Sequence, residues 1–408
     1  MSSKIKNLKA KEILDSKGEP TVEVKLTTES GVFTASVPSG ISKGKYEAVE
    51  LRDGGTRHQG KGVLAAVRNV NQIIAPKLID RDATKQEEID RLMIEMDGTE
   101  NKSKLGANAI LAVSIAICRA GAEERPLWKW ISELSRREPA LPSPFILCIE
   151  GGLHGSGALD IQEFMIVTRA GSFGDKFRVV TKIHHTLRRI LEKNYGELGT
   201  KTGIEGAFIP PLKKTEEALD LITEAISETG HENKVKFVLD VASSSFFRNE
   251  KYSFEGKTLN REELSRFYVK LYQKYPILAI EDPFAEDDWE GWKMFMSNIK
   301  NQLLVIGDDL TVTNQERFKK AEQEQCVNAV IIKPNQIGTV TETISAINLA
   351  KKFNWKTVIS HRGGDTPDSF IADLAVGSGA DFIKSGAPTK KERMAKYNRL
   401  LKIEEELK

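Results

Sequence analysis

The segment "VNAVIIKP" (residues 327–334) is an apolar run that ends in one charged side chain, that of Lys333. A short apolar run rich in β-branched residues favours a strand that is buried on both faces. Runs of the same kind occur throughout the second part of the chain, namely "KFVLD", "PILAIED", "LLVIGDD", "KTVISHR" and "DFIKSG". Stretches with helical spacing, such as "REELSRFYVKLYQKY" and "TVTETISAINLAKKF", lie between them. Repeated strand–helix units predict an α/β fold with a parallel β/α barrel of the TIM type.

The first part of the chain has a different pattern, which is typical of an α+β domain. "TVEVKLTTESGVFTASVPSG" alternates apolar and polar residues around Glu29–Gly31 and predicts a β-hairpin. Helical periodicity follows in residues 61–80 and again in "NAILAVSIAICRAGAEE". The three prolines of "PALPSP" mark a break between the two patterns. We therefore predict an N-terminal α+β domain over residues 1–136 and a C-terminal barrel over residues 137–408.

Charge and composition exclude several classes of protein. The chain has 60 basic and 58 acidic residues and a net charge of +2, which argues against a nucleic-acid or membrane-surface partner. No apolar run is long enough for a signal peptide or a bilayer span. Three widely spaced cysteines fit neither a disulfide framework nor a zinc site, so we predict a cytoplasmic protein. The basic segment "KKERMAKYNRLLKIEEELK" predicts a solvated amphipathic helix.

Each apolar run in the barrel region ends in or next to a side chain that can do chemistry. These side chains are Asp240, Glu281, Asp308, Lys333, His361 and Lys384. Because the C-terminal ends of parallel barrel strands meet at one mouth, we expect the six groups to share one space. The three carboxylates would repel one another without a cation, and oxygen-only ligands suit Mg²⁺. The alternative is a network of salt bridges with Lys333 and Lys384.

A lysine at this mouth suggests proton abstraction. A neighbouring cation lowers the pKa of a lysine, and Lys333 could then act as a general base. Removal of a proton from the carbon next to a carboxylate needs a cation to stabilise the resulting ene-diolate, and a lysine paired with Mg²⁺ supplies both. The alternative is a Schiff base between Lys333 and a carbonyl substrate, a chemistry that does not need three carboxylates.

Three further stretches carry candidate binding groups. "SHRGGDT" places Arg362 next to two glycines, a combination suited to binding phosphate or carboxylate. "EGGLHGSGALDIQEF" contains His154 and Glu163, and "TGIEGAF" contains Glu205 next to a glycine. Two paired glutamates could protonate a leaving hydroxyl group, although a single glutamate is more often a solvated surface residue.

These motifs, taken in order, resemble the enolase family, the phosphopyruvate hydratases. The resemblance covers nearly the whole chain, through "EILDSKGEPTVEV", "VPSGISKGKYEAVELRD", "KSKLGANAILAVS", "LDIQEFMI", "IEDPFAEDDWEGW", "VIGDDLTVTN", "KPNQIGT", "ISHRGGDT" and "IKSGAP". It implies that the N-terminal domain caps a modified barrel whose first strands and helices depart from the simple β/α repeat. It also implies a cytoplasmic lyase, a homodimer or higher homo-oligomer, that interconverts 2-phosphoglycerate and phosphoenolpyruvate plus water.

The resemblance implies a role for each matching residue. The ligands of a first Mg²⁺ would be Asp240, Glu281 and Asp308, and Ser42 would help to bind a second. Lys333 would be the base that removes the proton at carbon 2.

By the same resemblance, Glu205 acts with Glu163 on the acid side and helps to expel the hydroxyl at carbon 3. Lys384 would contact the substrate carboxylate, and Arg362 would clamp the phosphate. The remaining pocket residues would be His154, Gln162 and His361.

The chain departs from the family pattern around phosphate and leaving hydroxyl. Gly363 stands where "HRSGET" has serine, so one hydroxyl contact is lost although the backbone N–H remains. Ile204 replaces an aspartate of "GDEGGF", and Glu150 and Leu153 change "NGGxHAGN" around the histidine. Two enzymatic hypotheses therefore stand: an authentic enolase, and a paralogue for a related phosphorylated or phosphonate carboxylate, similar to the carboxyphosphonoenolpyruvate synthases. A non-enzymatic scaffold is a third, but it would not need to keep the lysines, glutamates and metal ligands together.

Overall fold

The N-terminal part of the chain contains a small antiparallel sheet. The computed structural model describes residues 3–40, 44–155, 158–168, 171–300 and 302–408. The sheet strands are β1 (Asn7–Leu14), β2 (Pro20–Thr27) and β3 (Val32–Ser36). The predicted hairpin is confirmed as β2 and β3, whose turn is closed by the hydrogen bond from Thr28 N–H to Gly31 O.

Five α-helices accompany this sheet in the described residues. They are α1 (Leu64–Arg68), α2 (Ala75–Leu78), α3 (Gln86–Asp97), α4 (Ala107–Gly121) and α5 (Leu127–Ser135), with a π-helical segment (Asn69–Ile74) joining the first two. α4 is buried all round apart from Arg119. Its sequence is apolar on every side, as expected for a helix covered by neighbours rather than by water. It packs on β2 and β3 and forms the centre of the N-terminal core.

Eight strands among the described residues close into a barrel, which confirms the predicted fold class. They are β4 (Ser143–Glu150), β5 (Glu163–Thr168), β6 (Val235–Asp240), β10 (Ile277–Glu281), β11 (Leu304–Gly307), β12 (Ala329–Ile332), β13 (Lys356–Ser360) and β14 (Phe382–Lys384). A separate small sheet consists of β7 (Phe247–Arg248), β8 (Lys251–Phe254) and β9 (Lys257–Leu259). β5 runs antiparallel to both of its neighbours, and the other pairings are parallel. The first strands therefore depart from the simple β/α repeat, as the family resemblance implied.

The remaining helices follow in the barrel part of the chain. They are α6 (Phe173–Tyr195), α7 (Thr215–Glu228), α8 (Arg261–Lys274), α9 (Trp289–Ile299), α10 (Gln315–Gln323), α11 (Pro334–Ile337), α12 (Val340–Lys352), α13 (Phe370–Gly377) and α14 (Lys391–Glu406). Several begin at side chains that cap the first backbone N–H groups, such as Ser172 before α6 and Asn260 before α8. None of the described helices combines the length and apolar character that a membrane span requires.

The barrel interior is a packed core. Inward side chains such as Phe145, Leu147, Ile306 and Ile331 form one buried apolar cluster, and the rings of Phe145 and Phe382 lie 4.6 Å apart. A filled interior leaves no channel, so reacting groups can meet a ligand only at an end of the barrel.

The N-terminal domain is attached to the rim of the barrel mouth. Ser39 and Gly364 exchange two backbone hydrogen bonds, at 2.7 and 3.0 Å. Arg119 of α4 donates two hydrogen bonds of 2.7 Å to the carboxylate of Asp368. These contacts bring the segment that follows β3 to the edge of the mouth.

The prediction of a solvated C-terminal helix was wrong in part. The helix forms as α14, but Arg393 and Lys396 on it are buried. Arg393 donates to the carbonyl oxygens of Arg362 and Gly363, at 2.6 and 2.7 Å. The basic residues on this face of the helix therefore support the loop after β13 instead of facing water.

Candidate active site

The predicted strand-end residues converge at one mouth of the barrel. Asp240, Glu281 and Lys384 are the last residues of β6, β10 and β14. In the sheet, Asp240 is paired in register with both Glu281 and Glu163. Glu163 reaches the same mouth because it is the first residue of β5, which runs in the opposite direction. Asp308, Lys333 and His361 follow immediately after β11, β12 and β13.

Lys384 joins three of these carboxylates. Its Nζ lies 2.8 Å from Asp240 Oδ2, 2.9 Å from Glu281 Oε1 and 3.2 Å from Glu163 Oε2. Burial opposes its charge, but the three carboxylates outweigh burial and hold the pKa of Lys384 well above its usual value. The lysine is therefore a fixed positive charge at the centre of the acidic cluster.

Lys333 forms a separate buried ion pair with Asp308. From the sequence we expected a neighbouring cation to lower the pKa of this lysine. Burial does lower it, but the Asp308 carboxylate lies against the ammonium and raises the pKa of Lys333 above the ordinary value. In this arrangement Asp308 therefore keeps Lys333 positively charged.

Two glutamates with opposite pKa shifts lie close together at the mouth, since ligand atoms of Glu163, Glu205 and His154 lie within 4.8 Å of one another. Burial, together with the negative charge of Glu205, raises the pKa of Glu163 well above its usual value. Burial acts on Glu205 as well, but the hydrogen bond from His361 and the positive charge of Arg393 outweigh it and hold the pKa of that carboxyl well below its usual range. Paired groups whose environments separate their pKa values are typical of acid–base sites.

The tautomer of His361 follows from its neighbours. Arg393 Nη1 lies 2.6 Å from His361 Nδ1, and a guanidinium can only donate. Nδ1 is therefore the acceptor, and Nε2 carries the ring proton 3.0 Å from Glu205 Oε2. Burial lowers the pKa of His361 to about 4, so the ring is neutral at physiological pH.

One buried atom at this mouth, His154 Nδ1, has no hydrogen-bond partner within the described residues. It lies 3.6 Å from Glu163 Oε1 and 3.7 Å from Glu205 Oε1, which is too long for a hydrogen bond. A buried polar atom without a partner is costly, and a hydroxyl-bearing ligand would satisfy it.

Arg362 is held by a carboxylate that the sequence reasoning missed. Its Nη1 lies 2.9 Å from Glu47 Oε2, and its Nη2 lies 3.1 Å from Glu47 Oε1. Glu47 also accepts a hydrogen bond of 3.0 Å from the backbone N–H of Gly44. The guanidinium predicted to bind phosphate is therefore already paired in a bidentate manner. Glu47 lies in the quoted stretch "YEAVELRD", but no strand-end pattern marks it.

The remaining predicted residues fall at the same mouth, with one exception. Gln162 and Gly363 line the cavity together with His154, Glu205 and Lys333. Ser42 lies outside the described residues, so its predicted role as a ligand of a second Mg²⁺ stays a prediction.

The acidic residues at the mouth could hold a hard cation. Burial and the charge of Asp240 raise the pKa of Glu281 well above its usual value, as expected where carboxylates crowd together. Ligand oxygens of Asp282, Asp308 and Asp309 lie within 4.8 Å of one another. Every donor in this group is a carboxylate oxygen, the ligand type that Mg²⁺ prefers.

Asp282 and Asp309 were not among the sequence predictions. The carboxylate of Asp282 accepts the backbone N–H groups of Asp308 and Asp309, each at 2.9 Å. Asp282 thus fixes the backbone at the end of β11, where Asp308 follows. The sequence signal that could have found them is the pair of adjacent acidic residues in "IEDPF" and in "IGDD".

Fold and mouth together define a β/α-barrel enzyme with an acid–base site at the C-terminal ends of its strands. Comparison with known proteins gives the family. The family model "Enolase, N-terminal domain" matches residues 5–131, and "Enolase, C-terminal TIM barrel domain" matches residues 138–408. The enolase of Mastigamoeba balamuthi is 49% identical over 99% of this chain and 96% of its own length.

The chain belongs to the enolase family and is an enzyme with enolase function. This relationship, together with the convergence of the acid–base groups, does not favour the hypotheses of a phosphonate-specific paralogue or a non-enzymatic scaffold.

Proposed function

We propose that this chain interconverts 2-phosphoglycerate and phosphoenolpyruvate plus water, with Lys333 as the base and the Glu163–Glu205 pair on the side of the leaving hydroxyl. The observation that carries the proposal is the meeting of Lys333, Lys384 and this glutamate pair at one buried mouth. Proton removal next to a carboxylate and loss of a hydroxyl from the neighbouring carbon need these two kinds of group on different sides of the substrate.

The residues that would hold Mg²⁺ are Asp240, Glu281 and Asp308, with Ser42 at a second ion. When bound, Mg²⁺ would neutralise crowded carboxylates and stabilise the negative charge that develops on the substrate carboxylate. The oxygen-only donor set and the raised pKa of Glu281 support this assignment.

Lys333 removes the proton at carbon 2 as a neutral amine. Its ammonium is held by Asp308, so the lysine can act as a base only when Asp308 is engaged elsewhere. Once Asp308 no longer compensates the ammonium, burial and the charges of Arg362 and Lys384 disfavour its charged form. The same ion pair keeps Lys333 protonated, as the return of the proton to carbon 2 in the reverse direction requires.

Lys384 would bind and orient the substrate carboxylate, since it is the buried cation nearest the acidic cluster. Arg362 would bind the phosphate. The guanidinium is paired with Glu47, so phosphate must displace this carboxylate or share the guanidinium with it.

The leaving hydroxyl at carbon 3 takes up a proton and departs as water. The pKa of Glu163 is raised and that of Glu205 is lowered, so Glu163 is the member of the pair suited to give up a proton to the leaving hydroxyl. His154 and His361 border the pair and orient it. His154 Nδ1, which lacks a partner within the described residues, is the natural binding point for the hydroxyl and the departing water.

The family relationship also supports a cytoplasmic location and a homodimer or higher homo-oligomer, and we include both in the proposal. The substrate is a small phosphorylated carboxylate, and neither nucleic acid nor membrane is a partner. Size-exclusion chromatography with light scattering tests the oligomer, and a monomer at micromolar concentration would contradict it.

The experiment that tests the function is a direct assay. Purified protein, 2-phosphoglycerate and a titration of Mg²⁺ are mixed, and the ultraviolet absorbance of the enol product is followed. We expect turnover that is saturable in Mg²⁺ and is abolished by a chelator and restored by Mg²⁺. Failure of the folded, Mg²⁺-binding protein to turn over would overturn the proposal, and a screen of phosphonate analogues would then follow.

A further inference from the structure

Glu150 is a buried carboxyl group that the reaction as described does not use. It is the last residue of β4, 2% exposed, at a position where the family pattern has asparagine. Its Oε1 accepts the backbone N–H of Ala207 at 2.8 Å, and its Oε2 accepts the backbone N–H of Glu205 at 3.0 Å. Both donors belong to the segment that carries the Glu205 side chain into the mouth.

The carbonyl groups of the same segment are held from the opposite side. Lys390 Nζ donates to Gly203 O at 3.0 Å and to Ile204 O at 2.9 Å. The backbone N–H of Ala387 donates to Glu205 O at 3.2 Å. The backbone around Glu205 is therefore held from two sides. The carboxyl group of Glu150 accepts its N–H groups, and the ammonium group of Lys390 donates to its carbonyl oxygens.

The two glycines of "GIEGAF" are required by this close approach. A Cβ atom on Gly203 would lie 2.5 Å from Glu150 Oε2, and one on Gly206 would lie 2.3 Å from Thr389 Oγ1. Gly206 also has a φ of +90°, which side-chain-bearing residues rarely adopt. The segment is shaped around Glu150 on one side and around the chain before α14 on the other.

We propose that Glu150 is a positioning residue for the elimination half-reaction: its carboxyl group fixes the backbone of residues 203–207 and so holds the Glu205 side chain beside His361 and His154. The inference rests on the proposed function, because the role of Glu205 belongs to that proposal. Glu150 touches neither Lys333 nor Lys384 in its described contacts. Its loss should therefore impair loss of the hydroxyl and spare proton removal at carbon 2.

The environment of Glu150 favours a neutral carboxyl group over a charged carboxylate. Burial, then the charge of Glu205, raises the pKa of Glu150 to about 8. A neutral glutamine at this position keeps a carbonyl oxygen with two lone pairs, which is enough to accept both N–H groups. Glu150→Gln should therefore rescue the function that Glu150→Ala loses.

The test compares two rates in one sample. Exchange of the carbon-2 proton of 2-phosphoglycerate with deuterium is followed by NMR in heavy water, and dehydration is followed by absorbance. We expect Glu150→Ala to lose roughly 10²-fold in dehydration, the scale for misplacement of a catalytic group by about 1 Å, and to keep the wild-type exchange rate. Glu150→Gln should keep both rates.

A matched control removes a carboxylate that also accepts a backbone N–H but lies at the other end of the barrel. Asp381 accepts the N–H of Thr357 at 3.1 Å and pairs with Lys356. Asp381→Asn should lower thermal stability and keep both rates. If Glu150→Ala does not fold, Lys390→Met removes the opposite anchor, and the same selective loss of dehydration is expected.

Three results would overturn the inference. One is an equal loss of exchange and dehydration in Glu150→Ala, which would indicate general damage to the mouth. Another is full activity in Glu150→Ala, and the third is a Glu150→Gln variant as impaired as the alanine variant. Absence of both rates in the wild-type protein would instead overturn the proposed function, and the inference with it, so the two failures are distinguishable.

Discussion

The mouth of the barrel has two sides that are built differently. On the strand side, the chemical groups end or directly follow barrel strands; this side comprises Asp240, Glu281, Asp308, Lys333 and Lys384. On the loop side, the groups lie on connecting segments; this side comprises Glu47, His154, Glu205 and Arg362. Of the departures from the family pattern, Ile204 and Gly363 lie on connecting segments of the loop side, and Glu150 ends β4 but binds the segment that carries Glu205.

This contrast separates groups with fixed positions from groups that depend on side-chain anchors. A strand end is fixed by ladder hydrogen bonds on both sides, so a group placed there has little positional freedom. A loop group needs side-chain anchors, such as those that Glu150 and Lys390 provide for Glu205. The strand side suits proton removal and metal binding, and the loop side can change its anchors while it keeps its reacting groups.

The largest expected effect comes from breaking the strand side. Lys333→Ala should lower dehydration by about 10³-fold, since a general base contributes about 10²–10⁴. Mg²⁺ binding, measured by calorimetry, should persist because the three proposed ligands remain. Lys356→Ala, a lysine at the start of β13 that pairs with Asp381, is the control and should keep its activity. A comparable loss of Mg²⁺ binding would contradict the separation of base from ligands.

Breaking the loop side should cost less. Glu205→Gln removes the charge that His361 and His154 face, and we expect dehydration to fall about 10²-fold, within the range for acid–base groups. Substrate affinity should change little, and equilibrium binding in the presence of Mg²⁺ measures it. The control is Glu228→Gln, an exposed carboxylate paired with Arg189. An unchanged rate in Glu205→Gln would exclude Glu205 from the reaction.

A third variant sharpens the account of the phosphate site. Glu47 competes with phosphate for the Arg362 guanidinium, so Glu47→Gln should tighten binding of inorganic phosphate roughly tenfold, the scale of one charge-assisted hydrogen bond. Competition with the substrate in the absorbance assay gives the affinity. Weaker binding would mean that Glu47 chiefly orients Arg362 instead of competing for it.

The smallest effect is expected where the chain has lost a hydroxyl. Gly363→Ser should tighten binding of 2-phosphoglycerate about threefold, in line with one added neutral hydrogen bond. Gly364→Ser is the contrast, because its Cβ would lie 2.3 Å from Asp15 Oδ2 and would disturb the contact with Ser39. If Gly363→Ser gives no gain in affinity, the absence of the serine hydroxyl does not limit binding of 2-phosphoglycerate to this chain.

The strand side was predictable from the sequence alone. Parallel strands buried on both faces appear as apolar runs, and the first polar residue after each run marks the mouth, as for Lys333 and Lys384. The antiparallel course of β5 was not visible in this pattern. The family resemblance implied only that the first strands and helices depart from the simple β/α repeat. Glu163 was a candidate from its own stretch, and the resemblance added its role.

Most of the loop side could not be predicted in this way. The pairing of Glu47 with Arg362 and the contact of Arg393 with His361 join residues far apart in the chain, so no local pattern encodes them. Arg393 even lies in a segment whose basic composition indicated solvent exposure. The direction of the pKa shift of Lys333 likewise depended on the placement of Asp308, which only the folded chain determines.

The division of the mouth is tested most directly by exchange of the carbon-2 proton in two variants measured side by side. With 2-phosphoglycerate and Mg²⁺ in heavy water, we expect exchange to be abolished in Lys333→Ala and to persist in Glu205→Gln, although dehydration is lowered in both. Exchange that survives in Lys333→Ala, or that disappears equally in both variants, would contradict the assignment of proton removal to the strand side.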